Sequence, residues 1–240
     1  MSDVVIRPAS LADINQILMI EESAWPDGCQ ACETQLRSRI EIFQAGNLVA
    51  ATPDGAVFAY VSSLIVAAKS AAESWEQITS GGMITGHVDG YGTEYVLYGV
   101  DFSAMPVASG AAKRLLIELA RLSVSRRLIG CRLGARPIMY HKHADLLSCE
   151  EYIKLSRNRV RKVEINGRAI TEDPEIALYK RVGLKVGEVI PNYFPDPQSL
   201  NYGVTMDWPN PFRRLPLPGL WATLVNTLVV AEGWRGLLSN

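Results

Sequence analysis

The sequence predicts an α/β fold with a mixed central sheet of about six to seven strands flanked by helices. Two observations carry this prediction. Strand-like and helix-like patterns follow one another in the order β-α-α-β-β-β-α-β-α-β-β, which is typical of helices packed on both faces of one sheet. Hydrophobic residues make up 48% and charged residues 20% of the 240 residues, which suits a domain with a large core.

The first half of the chain is predicted to form two helices and four strands. Ser10 with Asp13 three residues later is typical of a helix start, and Trp25-Pro26-Asp27-Gly28 breaks that helix. Pro53-Asp54-Gly55 favours a turn between two strands. In chain order these elements are a strand at Val4 to Ile6, helices at about Leu11 to Ser23 and Glu33 to Phe43, and strands at Leu48 to Ala51, Val57 to Ile65 and Tyr95 to Val100.

The second half is predicted to alternate helices and strands around a long polar connection. Asp173-Pro174 favours a helix start, because Asp caps and Pro fits the first turn, and Gly183 ends that helix. The elements are a helix from about Gly110 to Ser125, a strand at Leu128 to Leu133, the polar connection, the helix after Asp173, and strands at Val186 to Ile190 and Tyr202 to Asp207. We predict a domain over residues 1–211 and a C-terminal apolar extension over residues 212–240 that packs on the domain or on a partner.

Charge and hydropathy exclude several classes of protein. The formal net charge of −1 lacks the basic bias of nucleic-acid-binding proteins. The N-terminus shows no secretion signal, and the apolar stretch from Leu220 to Ala231 is shorter than the roughly 20 residues of a membrane span. We therefore predict a cytoplasmic protein without nucleic acid or a membrane span, and the sequence leaves a monomer and a homodimer open.

The four cysteines do not predict a metal site. Cys29 and Cys32 have CxxC spacing, but a zinc site normally needs a second pair, which Cys131 and Cys149 do not form. In the cytoplasm all four are expected to be reduced. We predict no metal.

A helix start after the Tyr95 to Val100 strand is a candidate phosphate-binding turn. The N–H groups of a first helical turn have no partner within the helix, and with the helix dipole they favour phosphate. Ser109-Gly110-Ala111-Ala112 is a run of small residues that permits close approach, and Lys113 and Arg114 add positive charge. Small residues also occur at helix starts for packing reasons, so the turn alone leaves both interpretations open.

The order of elements and this turn resemble the GNAT superfamily of acyltransferases. The acyl-CoA loop of that superfamily has the pattern Arg/Gln-x-x-Gly-x-Gly/Ala, and Val107-Ala108-Ser109-Gly110-Ala111-Ala112 matches its glycine and final small residue, with Val107 in place of Arg/Gln. Residues 74–100, 141–153, 173–204 and 206–211 resemble one branch. That branch includes GNAT domains fused to carbon–nitrogen hydrolases and GNAT-like loading domains of polyketide synthases. The resemblance covers about residues 4–211.

The resemblance implies a GNAT fold and transfer of an acyl group from acyl-CoA or an acyl carrier protein, both phosphopantetheine thioesters, to an amine of a small molecule. The activity is then that of an N-acyltransferase, with a role in natural-product biosynthesis as one possibility. The helix after Asp173 resembles the LY...GF segment of the family, which makes Tyr179 the general acid that protonates the departing thiolate. Backbone N–H groups near Gly99 and Val100 are the implied oxyanion donors. The implied donor-binding residues are Gly99, Val100, Val107, Ala108, Ser109, Gly110, Ala111, Ala112 and Lys113.

The general base and the acceptor site stay open at this point. Histidine titrates near neutrality, which suits a base, and carboxylates can act through a water molecule. The candidates for the base are His143, His141, Asp101, His87 and Glu94. The candidates for contact with the acceptor are Trp25, Cys131 and Phe194.

Three alternatives accompany this hypothesis. Decarboxylating members of the polyketide branch share Trp25, but they carry a histidine at the position of Tyr179 and an arginine at that of Phe194, so decarboxylation is the weaker expectation. Val107 and the unidentified base are also compatible with a non-catalytic thioester-binding module. The basic run of Arg157, Arg159, Arg161 and Lys162 is either a solvated face or a docking patch for an acyl carrier protein.

Overall fold

The computed structural model describes residues 4–70, 73–105 and 110–231, and it describes residues 226–231 by their backbone only. The chain forms a seven-stranded mixed sheet flanked by helices, which confirms the predicted fold class. It divides into two compact units. The first unit comprises Met1–Cys131 and Pro209–Ala231, and the second comprises Arg132–Trp208.

The elements have the following bounds. The strands are β1 (Val5–Pro8), β2 (Asn47–Ala51), β3 (Val57–Ala67), β4 (Tyr95–Ala104), β5 (Gly130–Ala135), β6 (Lys162–Ile165), β7 (Arg168–Thr171), β8 (Lys185–Ile190) and β9 (Gly203–Pro209). The helices are α1 (Ile14–Ala24), α2 (Glu33–Phe43), α3 (Trp75–Thr79), α4 (Ala111–Ser125), α5 (Cys149–Arg157), α6 (Pro174–Arg181) and α7 (Pro218–Ala231).

The first unit is built on an antiparallel run of strands in the order β1-β2-β3-β4. Successive side chains of a strand point to opposite faces, so each strand contributes to two cores. Val49 and Tyr60 pack with α1 and α2 on one face. Leu48 and Val61 pack with α4 on the other face. Helices therefore cover both faces of this part of the sheet.

The start of the first helix is fixed by Asp13. Its carboxylate accepts a hydrogen bond from the backbone N–H of Ser10 at 2.8 Å and two bonds from Arg7 at 2.7 Å each. Arg7 holds the pKa of Asp13 down at about 2. A 3₁₀ turn at Leu11–Asp13 leads into α1, so the helix start predicted from Ser10 and Asp13 is confirmed.

The segment after β9 returns to the first unit. Asn210 donates from Nδ2 to the carbonyl of Leu128 at 3.0 Å, and α7 packs on α4, where Arg121 Nε donates to the carbonyl of Ala222 at 3.1 Å. The sequence pattern did not predict α7, because its composition is mostly apolar and shows little helical periodicity. The division into residues 1–211 and 212–240 stays a prediction.

The second unit has the strand order β5-β9-β8 and a separate hairpin of β6 and β7. The prediction of a long polar connection here was wrong, because this stretch holds α5 and the hairpin. Ser148 and Glu151 form a capping box at the start of α5, and Tyr152 and Ile153 on its buried face anchor the helix. Polar residues on both sides of these anchors hide the helical pattern in the sequence.

The next helix, α6, begins as predicted. Asp173 accepts hydrogen bonds from the N–H groups of Glu175 at 3.0 Å and Ile176 at 3.4 Å, with Pro174 in the first turn. This cap fixes the start of the helix that carries Tyr179, six residues further along the chain.

Candidate functional site

The candidate phosphate-binding turn leads into α4. Val107, Ala108 and Ser109 lie outside the described residues. Gly110 is the N-cap of α4 with φ +92°, a backbone conformation that residues with a side chain rarely adopt. Ala111 is buried, whereas Ala112 and Lys113 are half-buried. The first N–H groups of α4 therefore follow a glycine, and such groups have no partner within the helix.

A bulge interrupts β4 where the oxyanion donor is predicted. Ser62 of β3 pairs with Asp101 and Ser63 pairs with Gly99, so Val100 has no pairing partner of its own on β3. The carbonyl of Val100 accepts a hydrogen bond from Trp75 Nε1 at 2.9 Å. The strand continues to Ala104, beyond the predicted end at Val100, because the bulge and the polar residues after it disrupt the hydrophobic pattern.

The segment that carries Trp75 is held on α2. Arg39 Nε donates to the carbonyl of Gly82 at 2.8 Å, and Gln35 Nε2 donates to the carbonyl of Gly81 at 2.7 Å. Gly82 has φ +83°, a backbone conformation that residues with a side chain rarely adopt, and a Cβ atom there would lie 2.8 Å from Gln35 Nε2. The contacts explain why a glycine-rich stretch takes a fixed course beside the bulge.

A buried cluster of polar side chains lies under α1 and α2, next to the bulge. Arg39 Nη1 donates to Asp101 Oδ2 at 2.7 Å, and their side chains are only 1% and 5% exposed. Removing either partner would leave the other charge buried and unpaired, which is strongly destabilising. Asp101, a predicted candidate for the general base, therefore lies in a fully formed ion pair.

Glu21, Ser103 and Trp25 complete this cluster. Trp25 Nε1 donates to Ser103 Oγ at 2.6 Å, and Ser103 Oγ lies in close contact with Glu21 Oε1 and 3.1 Å from Asp101 Oδ1. Burial raises the pKa of Glu21 to about 8, and the negative charge of Asp101 adds to the increase. Trp25, which is predicted to contact the acyl acceptor, is half-buried.

The sequence pattern did not identify Glu21, Arg39 or Ser103 as candidate site residues. Glu21 follows Ile14 and Ile17 at intervals of seven and four residues, so it lies on the apolar face of α1. Arg39 lies three residues after Leu36 on the buried face of α2. A charged residue on the apolar face of a predicted helix is the feature that could have identified both.

Cys131 lies on β5, and its thiol is neutral. Burial raises its pKa to about 12, and its Sγ lies 3.9 Å from the carbonyl of Leu119. A thiolate is the nucleophilic form of cysteine, so Cys131 is poorly suited to form an acyl-enzyme.

In the second unit, Tyr179 lies on the buried face of α6. It packs in a core cluster with Ile176, Val204 and Met206, and it is 7% exposed. Phe194 is half-buried and follows Tyr193, whose ring fills the space that Gly134 and Gly203 leave open.

The histidines differ in their surroundings. Burial, followed by the charge of Arg168, lowers the pKa of His143, and its buried Nδ1 has no hydrogen-bond partner among the described residues. His141 is exposed, and its Nδ1 lies 2.9 Å from the carbonyl of Gln198. Because a carbonyl can only accept, Nδ1 carries the hydrogen and Nε2 is free to take a proton. His87 uses its Nδ1 to accept the Ile65 N–H at 3.0 Å, within the first unit.

The basic run extends from Arg157, the last residue of α5, to Lys162, the first residue of β6. Arg157 donates to the carbonyl of Gly187 at 3.1 Å and pairs with Glu150, so its charge is engaged. Arg159, Arg161 and Lys162 are exposed. The exposed positive charges are thus three of the four that the sequence indicated.

Two absences hold for the described parts of the chain. Within residues 4–70, 73–105 and 110–231, no three His, Cys, Asp or Glu side chains come together in a way that could hold a metal ion. In the same ranges no helix has both the length and the apolar character needed to cross a membrane.

Comparison with known sequences identifies two relatives. No family model matches the chain. The uncharacterized N-acetyltransferase YkwB of Bacillus subtilis (strain 168) is 31% identical over 219 residues, covering 88% of this chain and 91% of that protein. The probable hydrolase YhcX of the same organism is 26% identical over 214 residues, covering 86% of this chain but 39% of that protein.

Solved structures share the fold. The GphF GNAT-like decarboxylase, in complex with isobutyryl-CoA, superposes with a TM-score of 0.68 at 19% identity, covering 86% of this chain and 99% of that one. The loading GNATL domain of CurA from Lyngbya majuscula gives 0.69 at 16%, with 87% and 98% covered. Arabidopsis thaliana NAA60 in complex with acetyl-CoA gives 0.53 at 16%, with 86% and 98% covered.

The fold, the bulged strand before a glycine-capped helix, and the relationship to YkwB define a GNAT-type protein. The chain belongs to the GNAT superfamily of acyltransferases.

Proposed function

We propose that this protein is an N-acyltransferase that uses acyl-CoA as donor and an amine of a small molecule as acceptor. The observation that carries the proposal is the bulge at Val100 on the strand that leads to α4, whose N-cap is Gly110. A bulge leaves a backbone N–H to hold the thioester oxygen as it becomes negative, and the helix start binds the diphosphate. Two structural neighbours contain isobutyryl-CoA and acetyl-CoA, which supports this type of donor.

Tyr179 is the general acid in this proposal. The acceptor nitrogen attacks the thioester carbonyl, the tetrahedral intermediate collapses, and the phenol gives its proton to the departing CoA thiolate. A phenol has a reference pKa of about 10, so it is protonated at neutral pH. Its position on a capped helix within a packed core supports a fixed orientation.

The general base is proposed among His143, His141 and Asp101. The lowered pKa of His143 keeps its imidazole neutral at pH 7, the form that accepts a proton. The hydrogen bond from His141 Nδ1 to the carbonyl of Gln198 makes Nε2 the ring nitrogen without a hydrogen. Asp101 acts only through a water molecule, since its carboxylate is paired with Arg39.

Incubation with acetyl-CoA and a panel of primary amines tests this function. The proposal predicts an amine whose mass increases by one acetyl group in the presence of the protein. A protein that binds CoA tightly and acylates no amine would instead support the thioester-binding module. Loss of CO₂ from malonyl-CoA would support decarboxylation, for which position 194 offers a phenylalanine in place of a cation.

A carrier-protein donor is the second candidate. The supporting observation is the exposure of Arg159, Arg161 and Lys162 after α5. One structural neighbour is a loading GNATL domain, and Val107 stands where the family has Arg/Gln before the phosphate turn. An acidic carrier protein would be steered to such a surface by charge. This donor would place the protein in natural-product biosynthesis.

Reversing Arg159 and Arg161 to Glu is expected to slow transfer from an acyl carrier protein by about tenfold at low salt, since charge steering raises association rates by 10–10³. Transfer from free acetyl-CoA should be unchanged, and added salt should reduce the difference. Measuring the transfer rates with both donors, at low and at high salt, tests these expectations.

The matched control reverses Arg37 and Arg214, two exposed arginines of the first unit, and so changes the net charge equally. Equal slowing of both donors, or equal slowing in the control, would remove the docking patch and leave CoA as the donor.

A further inference from the structure

The hydroxyl group of Ser103 contacts more acceptors than its single hydrogen can serve. Its oxygen accepts the N–H of Trp25 and lies close to Glu21 Oε1 and 3.1 Å from Asp101 Oδ1. A serine hydroxyl donates one hydrogen, and an ionised carboxylate donates none. If both carboxyl groups were ionised, one of the two contacts would join oxygen atoms with no hydrogen between them. A proton on one of the two carboxyl groups removes this conflict and gives each contact its own hydrogen.

The contacts of the two carboxyl groups show which one it is. Asp101 Oδ2 accepts a hydrogen bond from Arg39 Nη1 at 2.7 Å, so a negative charge on Asp101 has a cationic partner. Glu21 accepts the N–H of Ala31 on Oε2 at 2.9 Å, and no ion pair to Glu21 is found in the parts of the chain that the structure describes. With the proton on Glu21 Oε1, Glu21 donates to Ser103 and Ser103 donates to Asp101. Every contact in the cluster then contains one hydrogen.

We propose that Glu21 is a positioning residue that carries a proton at neutral pH and, through Ser103, fixes the indole of Trp25 in the acceptor site. The link to acceptor binding rests on the proposed function, which assigns Trp25 to that site. The protonation state and its coupling to Trp25 rest on the geometry of the cluster alone.

The surroundings of Glu21 support this state. Burial is the main cause that raises its pKa from 4.5 to about 8, followed by the charge of Asp101, while Arg39 acts in the opposite direction. Tyr60 on β3 also faces the cluster, and burial raises its pKa to about 12, so it stays neutral. As the pH rises through about 8, the cluster gains a buried negative charge, and Ser103 can satisfy only one of two carboxylates.

The sign of the stability change follows from linkage. Because the pKa of Glu21 is higher in the folded protein, the folded state binds more protons than the unfolded state between pH 4.5 and about 8. The contribution of Glu21 to stability is complete below pH 4.5 and decreases as the pH rises toward 8. Glu21→Gln removes this dependence, and its amide reproduces the hydrogen bonds of the neutral acid.

The test combines tryptophan fluorescence and thermal unfolding of the purified protein between pH 6 and 9. The fluorescence of wild type minus that of Trp25→Phe isolates the Trp25 signal. We expect this signal to change with a midpoint near pH 8. Glu21→Gln should abolish the transition, and its Tm should exceed that of wild type by a margin that grows from pH 6 to about pH 8 and then levels off.

Ser103→Ala tests whether Ser103 couples the protonation state of Glu21 to the indole of Trp25. It should keep the pH dependence of Tm, because Glu21 is still present, and lose the fluorescence transition. A Glu21→Gln variant with a lower Tm than wild type at pH 6 to 7, or with an unchanged fluorescence midpoint, would show that Glu21 is ionised and overturn the proposal. A transition that persists in Ser103→Ala would overturn the role of Ser103.

These measurements need neither donor nor acceptor. An inactive wild type with an intact pH transition would refute acyl transfer and retain the Glu21 assignment. An active wild type without the pH transition would support acyl transfer and refute the Glu21 assignment.

Discussion

Tyr179→Phe is expected to lower the turnover number by about 10²–10⁴-fold, which is the usual cost of losing a general acid or base. The change deletes one hydroxyl and keeps the ring in its packed position on α6. Without the phenol, the thiolate must leave unprotonated or take a proton from water. The affinity for the donor should change by less than about twofold, because the phenol acts on the leaving group. Steady-state rates and a CoA binding isotherm measure the two quantities.

The matched control for Tyr179 is Tyr140→Phe. Tyr140 lies in the same core cluster and donates its hydroxyl to the carbonyl of Leu147 at 3.2 Å. Its loss should cost roughly 1 kcal/mol of stability and leave turnover intact. Wild-type turnover in Tyr179→Phe, or equal losses in both variants, would remove the general acid from this residue.

Gly110→Glu is expected to weaken acyl-CoA binding by about tenfold, or 1.4 kcal/mol. A side chain at this position has room, since a Cβ atom would meet nothing within 4 Å, but the φ of +92° strains any residue except glycine. The new carboxylate would stand at the start of α4, where the phosphates of the donor are proposed to bind, and would repel them.

Gly110→Gln controls for the strain and the added volume. Gln and Glu differ mainly in charge, so the difference between their dissociation constants reports on phosphate alone. Calorimetric titration with acetyl-CoA at low and high salt should show a difference that decreases with salt. Equal affinities in two folded variants would place the phosphates elsewhere.

The sequence predicted those elements whose ends carry local chemistry. Asp13 and Asp173 each bind backbone N–H groups within three residues, so their helix starts can be recognised without tertiary context. The start of α5 has the same kind of cap in Ser148 and Glu151, but the polar character of the segment concealed it. Helix starts were therefore predictable where the hydrophobic pattern and the cap agreed.

The buried cluster was not predictable in the same way. Glu21 and Arg39 are charged residues on the apolar faces of two helices, and they are stable there only because Asp101 and Ser103 meet them from β4. Arg39 and Asp101 are 62 residues apart in the sequence, and Glu21 and Ser103 are 82 residues apart. Periodicity reports on the neighbours along a helix and contains no information about such distant partners.

The most direct measurement of the central claim is the stoichiometry of acyl transfer. Purified protein is incubated with acetyl-CoA with and without the amine that the panel identifies, and free CoA thiol and acetylated amine are quantified over time. We expect thiol release to depend on the amine and one acetylated amine to form for each CoA released. Release of CoA at the same rate without the amine, or with no acetylated product, would contradict acyl transfer as the function of this protein.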